Sequence, residues 1–216
     1  IVEEVGPLVK RVQKGDRVLI VVTGQCGECF QCLRGRAANC QAGFNRPNPP
    51  AATMADGTPV LGNLGGFAEL IVSWEEMTVP IFSKHSAAEL SNLTCVSMTG
   101  LGMTMVRTPV DAGSSVVVFG AGPIGLSAVQ GARIQGASQI ISVEPIRYRR
   151  ELALKVGAHA AVDPNDFPDS AALITRLREM TAPQSDRPFA GGRNPAAAGP
   201  DFVIEAVGGE RFVPRV

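Results

Sequence analysis

Cys26, Cys29, Cys32 and Cys40 stand within fifteen positions of a chain that has five cysteines in all. Their spacing, C-x2-C-x2-C-x7-C, lets four sulfurs converge on one centre without stretching the backbone, and Gly27 and Gly35 can supply the turns. Four thiolates close a tetrahedral shell around zinc at about 2.3 Å and leave no position for a substrate, so such a site is structural. Zinc-finger peptides gain on the order of 10–16 kcal/mol from such binding, enough to order a polar loop that has no core of its own. Three other readings compete. Unrelated surface thiols do not normally cluster at this density. An iron–sulfur site shares the first C-x2-C-x2-C, but the bacterial ferredoxin run closes with C-x3-C-P, whereas here seven residues intervene and Gln41 follows Cys40. A nucleic-acid zinc module would carry a basic or aromatic helix after the cluster, and none follows.

A second constellation lies downstream. Val116-Val117-Val118-Phe119 runs into Gly120-Ala121-Gly122-Pro123-Ile124-Gly125, a G-x-G-x-x-G after a strand-like run and at the start of a helical one. In that context Gly120 makes the tight turn, Gly122 lets the backbone approach a pyrophosphate, and Gly125 lets helix and strand pack closely. The helix N-terminus then offers N–H groups and partial positive charge to the phosphates. Pro123 has no N–H, so Ile124 and its neighbours must donate. Glu144 follows 19 positions after Gly125, at the end of the next strand-like run. A carboxylate there accepts hydrogen bonds from a ribose diol and repels a 2′-phosphate, which favours NAD over NADP. Arg147, Arg149 and Arg150 pull the other way, since an arginine can hold that phosphate; for Arg147 and Arg150 the preferred reading is a solvated helix face.

These residues need a scaffold. From about Ser91 the sequence alternates strand and helix: strand Val116 to Phe119, helix Pro123 to Gln135, strand Gln139 to Val143, helix Arg147 to Val156, strand Ala160 to Val162, helix Asp169 to Met180 and strand Asp201 to Val207. That order predicts parallel strands with right-handed crossovers. The earlier part reads as short strands and turns, with strands at Arg17 to Val22 and within Phe67 to Val79. The irregular Cys26 to Gly65 between them needs something other than a core to hold it. Thr181 to Pro200, rich in Pro, Gly and Ala, is expected to be an exposed loop.

Composition excludes several classes. Hydrophobic residues are 45% and charged residues 19% of the 216, which rules out a disordered chain. Twenty basic residues balance twenty acidic ones, so no net charge draws nucleic acid or an anionic membrane, and an aromatic content of 5% gives no base-stacking platform. The longest apolar stretch, near Val116 to Val129, is too broken by Gly and Pro to span a bilayer. An odd cysteine count without an export signal points to a reducing, cytoplasmic compartment. Starting at Ile1 without Met, the chain is expected to be a fragment or a processed product.

Together, the cysteine cluster and the glycine turn, in this order, resemble the zinc-dependent medium-chain alcohol dehydrogenases. Lys14-Gly15-Asp16-Arg17-Val18, Leu93-Thr94-Cys95 with Thr99-Gly100, and Asp201 to Gly208 (DFVIEAVG) carry the resemblance along nearly the whole chain. It implies an α/β architecture: part of a GroES-like β domain over 1–94, with a structural zinc lobe at 24–42, then a truncated Rossmann doubly wound parallel sheet over 95–216 with strand order 3-2-1-4. It implies that Cys95 is one of three protein ligands of a catalytic zinc, a role that a lone cysteine would not suggest, since most are small buried apolar residues. Thr99 would then lie near the nicotinamide and Arg149 near the adenosine ribose. His85 and His159 match no ligand position.

The function implied is hydride transfer from a small-molecule alcohol to NAD, or from NADH to an aldehyde, by a homo-oligomer. The family's remaining catalytic ligands precede the segment that Ile1 opens, so this polypeptide itself is expected to be inactive. Close alternatives on the same scaffold are a polyol, amino-alcohol or thiol-adduct (formaldehyde-type) dehydrogenase. From another class comes a non-catalytic module that binds NAD and zinc.

Overall fold

The computed structural model describes residues 1–22, 24–41, 52–60, 66–182 and 199–208. The chain divides into two compact units, Ile1–Cys95 and Val96–Val216.

In the first unit β1 (Val18–Ile20) lies within the strand expected at Arg17 to Val22. Farther on, β2 (Ala52–Thr53) and β3 (Pro59–Val60) form a short hairpin over the Asp56-Gly57 turn. Only the end of Phe67 to Val79 becomes a strand, β4 (Thr78–Pro80), which pairs antiparallel with β1, Leu19 facing Val79. Phe67 and Leu70 instead stand in a turn and a bend and Val72 in irregular chain, all largely exposed. Their β propensity has no effect because, among the described residues, no neighbouring strand pairs with them. A capping box passed over in the sequence opens α1 (Ala87–Leu90): Ser86 Oγ accepts from Glu89 N–H at 3.3 Å and Glu89 Oε2 from Ser86 N–H at 2.8 Å. The resulting hydrogen bonds from Ser86 hold the Glu89 carboxyl below its ordinary range.

The second unit follows the alternation read from the sequence. Its strands β5 (Ser115–Phe119), β6 (Gln139–Val143), β7 (Ala160–Val162) and β8 (Phe202–Glu205) are all parallel, in the order β7-β6-β5-β8. That is the expected 3-2-1-4. Helices α3 (Pro123–Ile134), α4 (Arg147–Val156) and α5 (Ser170–Thr181) connect them, with Asp169 capping α5 by accepting from Ala172 N–H at 2.8 Å. Both sheet faces are covered, as the continuous apolar strands require. Val116, Val118 and Ile140 pack with Ala128, Val129, Ala132 and Ala153 on one face; Val117, Ile141 and Val143 pack with Leu173 and Leu177 on the other.

Before β5 the sequence reading left a gap. The chain there forms α2 (Val96–Gly102), which runs into a π-helical turn at Met103–Arg107. α2 lies so close to α3 that a Cβ on Gly100 would come 2.3 Å from the Ile124 carbonyl oxygen. No helix of the described residues is long and apolar enough to cross a membrane. Most of the loop expected at Thr181 to Pro200 lies outside the described residues, although Thr181 itself closes α5.

Ser115 and Asp201 join the starts of β5 and β8. Asp201 Oδ2 accepts from the Ser115 N–H and hydroxyl, both at 2.8 Å, and these bonds, the N–H first, hold its carboxyl below the ordinary range. A depressed carboxylate stabilises the fold above its unfolded pKa of about 4, and the contribution disappears as pH falls through the lower folded value. Asp201→Asn is therefore expected to cost about 1 kcal/mol at pH 7, modest because the residue is exposed, and progressively less as the pH falls below the unfolded value. Thermal unfolding of both proteins across pH 2–7 checks this: the two melting curves should converge on the acid side.

Candidate functional site

The cysteine lobe is built from short turns. Gly35, at φ 73°, ends a 3-10 turn at Cys32–Arg34, and a second turn at Ala37–Asn39 delivers Cys40. Backbone bonds close them, Leu33 N–H to Cys29 O at 3.0 Å and Cys40 N–H to Ala37 O at 3.0 Å. Arg34 lies over the Phe30 ring, 4.1 Å from its centroid. Arg11 reaches across to the loop and donates to the carbonyls of Gln25 and Cys26, each at 3.3 Å.

These turns bring together the four sulfurs singled out in the sequence. The Sγ atoms of Cys26, Cys29, Cys32 and Cys40 lie within 4.8 Å of one another, and no disulfide joins any of the five cysteines. Four sulfurs at about 2.3 Å from a tetrahedral ion stand about 3.8 Å apart, so a small contraction seats the ion. Backbone N–H groups already point at sulfur: Cys26 donates to Cys40 Sγ at 3.4 Å and Cys29 to Cys26 Sγ at 3.3 Å. The thiols are strongly split. Cys29 is pulled down to about 6 by the N–H of Cys32 and then that of Gln41. Cys32 is pushed up to about 12: the Gly27 N–H favours its thiolate, but desolvation and the sulfurs of Cys29, Cys40 and Cys26 together outweigh it. Four thiolates in one place therefore need a cation between them, and a divalent soft-tolerant ion such as zinc suits the donor set. Among the described residues this is the one cluster of three or more metal-ligating groups, and Cys95 is not in it. Cys95 is exposed, unlike the buried thiol that a lone cysteine would suggest, and it immediately precedes α2.

The glycine turn stands at the C-terminal edge of the parallel sheet, where the connections change direction. From β5 the chain runs outward to β6 and β7, then returns to place β8 on the other side of β5. Open α/β sheets bind ligands at such a switch point. Gly120 adopts φ 89°, and its hypothetical Cβ would meet Val207 at 2.9 Å and the Ala206 carbonyl at 3.0 Å. Gly122 is the N-cap of α3 and Pro123 its first residue. Leu126 donates to Gly122 O at 2.9 Å and so begins the helical ladder. The N–H groups of Ile124 and Gly125 precede it and belong to the orphan donors that an anion satisfies. Thr99, exposed on α2, is adjacent to Gly100, which packs on the first turn of α3.

Glu144 is buried, at 3% exposure. Its Oε2 accepts from Ala121 N–H at 2.7 Å and its Oε1 from Ile146 N–H at 3.0 Å, so the carboxylate ties the glycine turn to the loop after β6. Arg147 forms an exposed pair with Glu151 at 3.0 Å, as a solvated helix face would, and Arg149 is exposed. Arg150 departs from that expectation. Its guanidinium folds under the loop and donates to the carbonyls of Glu144 and Pro145, and it pairs with Asp163 at 2.7 Å. Spacing along one helix could not reveal a partner on the far side of β7. His85 pairs with Glu89 at the surface, and His159 Nδ1 accepts from Ile140 N–H at 3.0 Å, so neither histidine joins a metal cluster.

Known proteins match both parts of the chain. A family model described as the alcohol dehydrogenase GroES-like domain matches residues 1–83, and one described as zinc-binding dehydrogenase matches residues 123–215. S-(hydroxymethyl)glutathione dehydrogenase of Candida maltosa is 34% identical over 191 residues, covering 84% of this chain and 50% of that protein. The crystal structure of benzyl alcohol dehydrogenase from Acinetobacter calcoaceticus superposes with a TM-score of 0.74 at 29% identity, over 99% of this chain and 54% of that one. A zinc-binding dehydrogenase of Sinorhizobium meliloti 1021, solved bound to NADP, does so with a TM-score of 0.64 at 28% identity, over 98% of this chain and 53% of that one. The chain thus spans about half the length of the curated relatives it matches. With its four converging cysteines and its glycine turn at the switch point of a parallel sheet, the chain belongs to the zinc-dependent medium-chain alcohol dehydrogenase family.

Proposed function

We propose that these residues form the structural-metal lobe and the nucleotide cradle of an oxidoreductase that moves a hydride between an alcohol and NAD. The observation that carries the reading is Glu144, buried and bonded to the Ala121 N–H of the glycine turn. In this reading residues 1–94 belong to the catalytic domain, with the lobe at 24–42, and residues 95–216 to the NAD-binding domain.

Each residue then has a physical task. Gly120, Gly122 and Gly125 shape the turn, and the N–H groups of Ile124 and Gly125, after the donor-less Pro123, hold the pyrophosphate. Glu144 keeps its remaining lone pairs for the ribose hydroxyls and repels a 2′-phosphate. Arg149 flanks the adenosine ribose. Thr99, beside the start of α3, lines the nicotinamide side. Cys26, Cys29, Cys32 and Cys40 hold zinc that stiffens the lobe and takes no part in the reaction. A catalytic zinc supplies Lewis acidity to an alcohol oxygen. Cys95 alone does not constitute such a centre, so the ligand set for that step extends beyond the cluster in this chain. We further propose that the protein works in a reducing compartment such as the cytoplasm, as a homo-oligomer that acts on a small molecule and not on nucleic acid or membrane.

A second reading has specific support. The Candida maltosa relative is named for S-(hydroxymethyl)glutathione, so a thiol adduct of formaldehyde joins simple alcohols as a candidate substrate.

Calorimetric titration of this chain with NAD+ and NADP+ tests the nucleotide reading. NAD+ is expected to bind more tightly. Glu144→Ala should weaken NAD+ at least tenfold, since hydrogen bonds to a charged group contribute about 1.5–3 kcal/mol. It should narrow the gap to NADP+, because the like charge is gone. Failure of the chain to bind either nucleotide, or equal affinity of wild type and variant for NAD+, would refute it.

A further inference from the structure

The sequence places three arginines on α4 beside the ribose acid, yet the structure neutralises two of them. Arg147 is paired with Glu151. Arg150 is the more constrained: one guanidinium nitrogen lies 2.8 Å from Glu144 O, 2.7 Å from Pro145 O and 2.7 Å from Asp163 Oδ2. Both side chains of the pair are about four-fifths buried, with 20% and 17% exposure. Asp163 is fixed in turn, because its Oδ1 accepts from Asn165 N–H at 2.9 Å in the turn after β7. The end of β7 therefore holds the cation beneath the very loop that carries Glu144.

We infer that Asp163 is a specificity-determining positioning residue, which keeps Arg150 pinned and neutralised so that the 2′ corner of the nucleotide meets the Glu144 carboxylate and no uncompensated cation. The inference rests on the nucleotide reading given above. A short, buried, charge-assisted pair holds its geometry far better than an exposed one. Removing the acid leaves a partly buried guanidinium without its counter-charge, one loop away from a group that discriminates by charge. Its field then attracts a 2′-phosphate, and its side chain gains the freedom to reach one.

The test uses wild type, Asp163→Asn, Arg150→Met and the double variant, each titrated with NAD+ and NADP+. Asparagine retains the carbonyl oxygen that accepts from Asn165 and replaces the oxygen facing Arg150 with an amide NH2, which removes both the charge and that acceptor. In Asp163→Asn the ratio of NADP+ to NAD+ affinity should rise on the order of tenfold, the scale of one screened charge pair. The rise should shrink in high salt. It should vanish in the double variant, because the cation responsible is gone. An unchanged ratio, with both nucleotides weakened equally, would overturn the inference and leave Asp163 a structural residue. A rise that survives Arg150→Met would also overturn it. Binding of neither nucleotide by wild type would instead remove the reading beneath it.

Discussion

Gly125→Ala is expected to destroy nucleotide binding and to destabilise the second unit. A Cβ there would sit 1.9 Å from the Gly120 carbonyl oxygen and 2.9 Å from its carbon. Both obstacles are backbone, so no side chain can rotate away; the turn itself must open. Overpacking costs typically 1–3 kcal/mol, and a backbone clash this close belongs at or above the upper end. The neighbouring glycine supplies the control. A Cβ on Gly122 meets nothing within 4 Å, and its backbone is extended, so the protein accommodates alanine there. Gly122→Ala should leave the melting temperature nearly unchanged and still weaken nucleotide binding, because only the approaching pyrophosphate meets the new methyl. Paired melting curves and titrations separate the two: Gly125→Ala loses both properties, Gly122→Ala only the second.

Cys40→Ser should have the other large effect, confined to the first unit. Cys40 is 1% exposed, and its sulfur accepts the Cys26 N–H while converging with three other thiols. Serine cannot replace a thiolate at this softness or reach. The variant should lose its zinc and, with it, metal-linked stabilisation on the order of 10 kcal/mol, which is large against the stability of a whole domain. Chelator treatment of the wild type should reproduce the variant's thermal unfolding, and chelator should leave the variant itself unchanged. A wild type indifferent to chelator would mean that the four thiols hold nothing.

Much of the second unit was legible because its signals are local. Apolar runs such as Val116 to Phe119 fix buried strands, Gly136 and Gly157 stop helices, and Asp169 caps one. The alternation then calls for parallel strands with right-handed crossovers, and the family resemblance supplies their order. The first unit was less legible. Phe67 to Val72 has the composition of a strand, but pairing depends on a neighbour that no local pattern encodes. Helix α2 escaped notice because its period is carried by small residues such as Gly100, whose role shows only when Ile124 of α3 stands against it.

The candidate site divides in the same way. The cysteines were found because metal ligation imposes a spacing, and the glycine turn because phosphate approach imposes a residue type. Arg150 was misread because its partner, Asp163, lies beyond β7, and a helical wheel cannot show that the guanidinium folds beneath the loop. Glu144 was singled out in the sequence as a candidate ribose ligand, but its bond to Ala121 N–H was invisible there. The carboxylate is part of the turn's own construction as well as a candidate ribose ligand.

Metal content per chain tests the whole account most directly. Elemental analysis of the purified protein should return one zinc per polypeptide, lost when Cys26 or Cys40 is replaced, with no visible absorbance. Iron with a visible charge-transfer band, or no metal at all in a folded protein, would contradict it.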